Sequence, residues 1–214
     1  KEYRPMSKSI TNLKISVSGV RGVVGETLTP RLISSFTAAF GQYVGAGRVV
    51  VGRDTRKTGL MVEQAVIAGL LSVGCQPVLC DVLPTPSIQI MVSHLNAVGG
   101  IAITASHNPM SWNAMKFINS NGMFLNNTEA REVLDIYNQE RINNALEEQC
   151  RKIKTYENAF AIHQQKVLDN IDVEAIKKRK FKVAIDCCNG AGAPYGKAFL
   201  EALGCQVVAI HTKT

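Results

Sequence analysis

Three short apolar runs constrain the fold more than any other feature of this chain. They are "RVVVG" at Arg48 to Gly52, "QPVLCDV" at Gln76 to Val82, and "GGIAITA" at Gly99 to Ala105. Each is short, rich in β-branched or small residues, and nearly continuous in its apolar character. Strands of that kind need cover on both faces, as in α/β sheets. The intervening segments supply helices for that cover. Thr29 can cap a helix with Pro30 at its first position, running towards Tyr43. Thr58 to Val73 places Leu60, Val62, Val66, Ile67, Leu70 and Leu71 close to a 3.6-residue period, and Gly74 ends it. Pro86 to His94 reads as a shorter helix. The fold class is therefore α/β: a three-layer α/β/α domain on a mostly parallel or mixed sheet.

The pattern changes after Phe117. "KFINSNGMFL" reads as a hairpin turning at Asn121-Gly122. Asn127 and Thr128 open a helix over Glu129 to Ile142. Residues 143–180 are polar, charged and poor in strand signals. From Phe181 the alternation restarts, with a strand to Asp186, a glycine-rich turn, a helix over Lys197 to Leu203 and a strand over Cys205 to Ile210. This is the opening βαβ unit of a second, similar α/β domain. The expected organisation is a first domain at 1–146, a helical linker at 147–180, and the incomplete start of a second domain at 181–214.

Composition narrows the function. Hydrophobic content of 46% with 19% charged residues suits a globular chain. The formal charge of +7 suits phosphorylated partners, nucleic acid or anionic surfaces. The one dense basic run, Lys177 to Lys180, has no interleaved aromatics, which argues against nucleic acid. No apolar stretch approaches the ~18 residues of a membrane span, and no signal-peptide pattern is visible. The six cysteines form no C-x-x-C pair and read as small buried hydrophobes in a reducing, cytoplasmic setting.

Four motifs could carry chemistry. Ser106 ends a buried run in "TASHNP", where α/β sheets place ligands and loops can hold anions. His107 and Asn108 follow it, and Lys116 lies ten residues on. The alternative is a turn capped by Ser106 and Asn108 before Pro109. An acyl-transferring serine hydrolase would need G-x-S-x-G, which is absent here. In "SVSGVRGVVGE", Gly19, Gly22 and Gly25 surround Arg21, whose planar fork suits phosphate; the alternative is a turn with a solvated arginine. In "VGRDTRKTG", Arg53 and Arg56 bracket Asp54 at a strand end, as an orienting cluster or a surface ion pair. "CNGAGAPYG" departs from the dinucleotide fingerprint and reads as a strand-to-helix turn.

Together these motifs resemble the α-D-phosphohexomutases, the family of phosphoglucomutase, phosphomannomutase and phosphoglucosamine mutase. "TASHNP" with "WNAMKF" is similar to the family's active-site serine loop. "SGVRG" and "VGRDTRKTG" look like its amino-terminal and arginine motifs, in the same order. "AIDCCNGAGAPYG" resembles the start of its second domain.

The resemblance implies an intramolecular phosphotransferase that interconverts hexose 1-phosphate and hexose 6-phosphate. It implies a phosphoserine at Ser106, a hexose bisphosphate intermediate that also acts as activator, and Mg²⁺ held partly through the Ser106 phosphate. His107, Lys116 and Arg21 match the catalytic group. Arg53 matches an arginine that supports the serine loop, and Asn108 and Gly22 complete the phosphate-binding set. Asn113-Ala114 departs from the family's usual Asn-Gly, and a methyl group at a position needing positive φ would shift Lys116. The family has four domains, so the chain corresponds to an amino-terminal portion, inactive without domains II–IV. The alternative is a non-catalytic phosphosugar-binding module or a subunit of a split enzyme.

Overall fold

The computed structural model describes residues 12–17 and 19–214. Seven strands form one mixed sheet. In chain order they are β1 (Lys14–Ser16), β2 (Gly19–Val23), β3 (Arg48–Arg53), β4 (Gln76–Val82), β5 (Gly99–Ile103), β6 (Trp112–Asn119) and β7 (Lys154–Thr155). Their spatial order is β1-β2-β6-β5-β3-β4-β7. β5, β3, β4 and β7 pair in parallel, whereas β1, β2, β6 and β5 are joined by antiparallel pairs.

Helices cover both faces of this sheet. On one side pack α1 (Pro30–Val44), α2 (Gly59–Leu71) and α4 (Asn127–Asn138), around Phe36, Phe40, Val51, Leu70, Ile101 and Phe117. On the other pack α3 (Thr85–His94) and α5 (Ala159–Leu168), around Val50, Ile88, Met91, Val92 and Ile118. Val49, Val50 and Val51 are all fully buried because successive residues point to opposite covered faces. Thr29 caps α1 by accepting from the Leu32 amide at 3.3 Å, with Pro30 in the first turn as the sequence predicts. α4 starts earlier than expected and is shorter. Asn126 and Glu129 form a reciprocal capping box there, and Glu140 beyond the helix adopts positive φ.

Residues 147–180, expected to be a helical linker, are partly built into the first body instead. β7 adds a parallel edge strand to β4, and α5 docks on α3. Ala159 belongs to the second core cluster, and Tyr156, Phe160 and Ile162 pack against it half-buried, so apolar burial outweighs the polar average of this stretch. His163 of α5 shares a 2.8 Å hydrogen bond between its Nδ1 and Ser87 Oγ of α3. Partial burial depresses the His163 pKa below the ordinary histidine value. A histidine depressed on folding stabilises the fold fully above its unfolded pKa of about 6.5, and that stability is lost as pH falls. Melting temperatures at pH 7.5 and pH 5 are expected to differ less in His163→Gln than in the parent chain. Equal differences would remove His163 as an acid-sensitive contact.

α6 (Val173–Arg179) then leads to β8 (Lys182–Asp186), α7 (Gly196–Ala202) and β9 (Gln206–Ile210). β8 and β9 pair in parallel as a separate two-stranded sheet. Val208 and Ile210 remain 68% and 51% exposed, although parallel strands are ordinarily covered on both faces. Contacts between this unit and the first body include an aromatic stack and two hydrogen bonds. The Phe160 and Tyr195 rings stack at 4.2 Å, Tyr195 Oη donates to the Val82 carbonyl at 2.7 Å, and Thr55 Oγ1 donates to the Asn189 carbonyl at 2.7 Å. The cysteines correct a further expectation. Cys75 and Cys80 are buried, with the Cys80 thiol pushed up to about 12 by burial, but Cys150 and Cys188 are exposed. Those two lie in loops outside the apolar strand runs.

Candidate active site

β5 is buried along its whole length and delivers the chain to the carboxyl edge of the sheet. Thr104, Ala105 and Ser106 follow. Ser106 is exposed and has φ of 55°, the left-handed region that a non-glycine residue seldom adopts. Strain of this kind collects at functional sites. Local bonds hold the turn: the Ser106 amide donates to Thr104 Oγ1 at 3.2 Å, and the Asn108 amide and Nδ2 both donate to the Ala105 carbonyl. Ser106 Oγ lies 3.4 Å from His107 Nδ1.

Strand register brings the cations to this serine. Arg21 of β2 pairs with Ala114 of β6, and Gly19 pairs with Lys116, which in turn faces Ala102 of β5. Cross-strand partners share a face, so Arg21 and Lys116 emerge on the same side of the sheet. Val20 and Met115, one residue off, are buried in the opposite core. Arg21, Ser106, His107, Asn108 and Lys116 therefore line one cavity of about 200 Å³, with Ala114 between the two cations. Arg21 Nε is buried without a hydrogen-bond partner among the described residues. Lys116 Nζ also lies 5.6 Å from the Phe124 ring centroid. A larger cavity of about 870 Å³ lies along α1, α2 and α4, but none of the motif residues lines it.

Gly19 fits the site more closely than Gly22. Gly19 has φ of 133°, and a Cβ there would fall 1.9 Å from the Met115 carbonyl oxygen. Only glycine permits that approach of β2 to β6 beside the cavity. Gly22 faces the Thr27 side chain outside the cavity, so it serves packing. Ala114 sits in β6 with no positive φ, so its methyl group leaves Lys116 in register.

The two arginines of "VGRDTRKTG" separate. Arg53, at the end of β3, turns to α2 and β4. Its Nη2 is 2.6 Å from Asp81 Oδ1 and its Nε is 3.6 Å from Glu63 Oε2. Burial raises the Glu63 carboxyl, with Arg53 opposing that shift. The loop-supporting contact expected of Arg53 is made by Arg56. Arg56 is 8% exposed and reaches the carbonyls of Ser106 at 2.9 Å, Asn108 at 2.7 Å, Pro109 at 2.8 Å and Trp112 at 3.2 Å. Asp54 holds Arg56 through Nε at 3.2 Å and through the backbone amide at 3.0 Å. Asp54 is itself fixed to the end of β5, because its amide donates to the Ile103 carbonyl at 3.0 Å.

The Mg²⁺ implied by the resemblance finds no cage here. The cavity lining carries cations and hydroxyl or amide groups but no carboxylate. Among the described residues no three His, Cys, Asp or Glu side chains cluster for a metal. Mg²⁺ favours oxygen ligands in near-octahedral array, and these residues do not fit that requirement. No helix among the described residues is long and apolar enough to cross a membrane.

The fold and cavity define an α/β protein whose ligand edge offers an anion-accepting pocket around a strained serine. Residues 12–144 match the phosphoglucomutase/phosphomannomutase α/β/α domain I, and residues 161–214 match domain II of the same proteins. The chain belongs to the α-D-phosphohexomutase family. It is 39% identical over 198 residues to a phosphoglucomutase/phosphomannomutase of Thermococcus kodakarensis, covering 90% of this chain and 43% of that protein. It is 35% identical over 195 residues to a phosphoglucosamine/phosphogalactosamine mutase of Sulfurisphaera tokodaii, again covering 90% and 43%. A crystal structure of a phosphoglucomutase/phosphomannomutase family protein from Burkholderia thailandensis superposes with a TM-score of 0.77 at 25% identity. It covers 92% of this chain and 44% of that one. The chain thus spans less than half the length of the relatives it matches.

Proposed function

We propose that this chain carries the phosphoserine centre of a hexose-phosphate mutase. The observation that carries the reading is the single cavity in which Ser106, at positive φ, meets Arg21, His107 and Lys116. In the proposed step, phosphorus moves from Ser106 Oγ to a free hydroxyl of a hexose phosphate. The Oγ–P bond breaks and a sugar O–P bond forms, and the hydroxyl proton passes to the serine oxygen. Reversal from the other end of the bisphosphate reloads the serine. Lys116 and His107 stand where that proton and the transferred charge must be managed. Arg21 offers a planar fork to phosphate oxygens. Catalysis of this kind rests on positioning and charge stabilisation, which suits a serine surrounded by cations.

The relatives' names span glucose, mannose, glucosamine and galactosamine derivatives, so hexose phosphate is the substrate class we assign. Arg53, held by Asp81 and Glu63, acts in this reading as a scaffold at the ligand edge. The test is phosphopeptide mapping of protein incubated with glucose 1,6-bisphosphate and of protein taken directly from cells. Phosphate on Ser106 is expected in both. Phosphate found elsewhere, or on no residue, would sink the assignment.

A further inference from the structure

We propose that Arg56 is a positioning residue for phosphoryl transfer at Ser106, with Asp54 orienting its fork; this rests on the phosphoserine reading above. A guanidinium has five N–H donors. Here Nε goes to Asp54, Nη1 to the Pro109 and Trp112 carbonyls, and Nη2 to the Ser106 and Asn108 carbonyls. Every donor of one buried side chain is spent on the serine loop or on the carboxylate that aims it.

The consequence for the serine follows from peptide geometry. In a trans peptide the C=O and the next N–H point in opposite directions. Capture of the Ser106 carbonyl by Arg56 therefore turns the His107 N–H away from Arg56. The Asn108 carbonyl is captured as well, and the following residue is Pro109, which has no N–H. The carbonyls on either side of His107, those of Ser106 and Asn108, are thereby fixed. With the Ser106 amide donating to Thr104 Oγ1, the same contact ties the backbone on both sides of a residue whose φ is 55°. Arg21 and Lys116 sit on β2 and β6, so their places do not depend on the loop. Arg56 thus governs the nucleophile's aim, while the strands hold the cations.

Lysine keeps the charge of Arg56 but has three donors from a single nitrogen and cannot span four carbonyls. That separates positioning from electrostatics. The experiment uses the 214-residue chain with phosphoserine incorporated at position 106 during translation, and follows its phosphorus resonance by NMR through a pH titration. In the parent chain the second phosphate ionisation is expected about half a pH unit or more below the value near 6 of free phosphoserine. In Arg56→Lys it is expected to return at least halfway, with the circular dichroism of the parent fold retained. If Arg56→Lys does not fold, Asp54→Asn keeps the guanidinium, loosens its aim, and is read in the same way. A parent chain whose phosphate titrates like free phosphoserine overturns the pocket reading itself. A depressed parent value that is unchanged in the folded variant overturns the role of Arg56 and leaves the pocket reading standing.

Discussion

Ser106→Ala is expected to lower mutase turnover by about 10⁴-fold or more, measured in a polypeptide of the relatives' full length that carries this segment. The substitution removes the atom that would hold the phosphoryl group between half-reactions. It leaves the surrounding cations in place, because Arg21 and Lys116 belong to β2 and β6. Hexose-phosphate binding should therefore change far less than turnover. Serine suits the carrier role because phosphate monoesters hydrolyse extremely slowly in water, so the group waits for an aligned alcohol. Alanine also lacks the hydroxyl that lies 3.4 Å from His107 Nδ1. The check is steady-state conversion of glucose 1-phosphate or mannose 1-phosphate to the 6-phosphate, with a trace of hexose bisphosphate and Mg²⁺. Parent-level turnover in the variant would show that the serine is not the carrier.

The 214-residue chain by itself is expected to give no sustained conversion in that assay. The cavity at Ser106 is lined by one side of the first domain and by no carboxylate, and no metal-binding cluster occurs among the described residues. Charge on a transferring phosphoryl group needs neutralising by metal as well as by side chains. A bisphosphate that must turn round before its second transfer also needs walls that keep it from solvent. The chain spans 43% of its Thermococcus kodakarensis relative, so the rest of that architecture lies outside it. The first body should still fold, because its seven-stranded sheet has helices on both faces. Conversion that persists through repeated purification would mean that one domain is enough.

Much of the fold was legible because apolar runs and punctuation are local signals. The runs at β3, β4 and β5 read as covered strands, Thr29-Pro30 marked the start of α1, and Gly74, at positive φ, lies three residues past the end of α2. β7 and α5 were not legible as part of the first body. Their apolar residues, Tyr156, Ala159, Phe160 and Ile162 among them, gain burial only against a core assembled from distant segments. β2 was masked by its glycines. Gly19 belongs there because β6 comes too close for a side chain, which a single strand cannot announce.

The sequence by itself determined that Ser106 follows a buried apolar run, and it offered Arg21, Arg53, Arg56 and Lys116 as the candidate cations around it. Those are properties of short segments and their order. Which cation does what was decided by tertiary structure. Antiparallel pairing of β2 with β6 puts Arg21 and Lys116 on one face, and a one-residue slip would have buried them. Arg53 and Arg56 look equivalent around Asp54 in sequence. Arg53 ends a strand and meets Glu63 and Asp81, whereas Arg56 follows a turn that returns it beneath the serine loop. Its partners are backbone carbonyls, which every residue possesses, so no residue pattern could have pointed to them. Only the folded path of the chain brings those four oxygens within reach of one guanidinium.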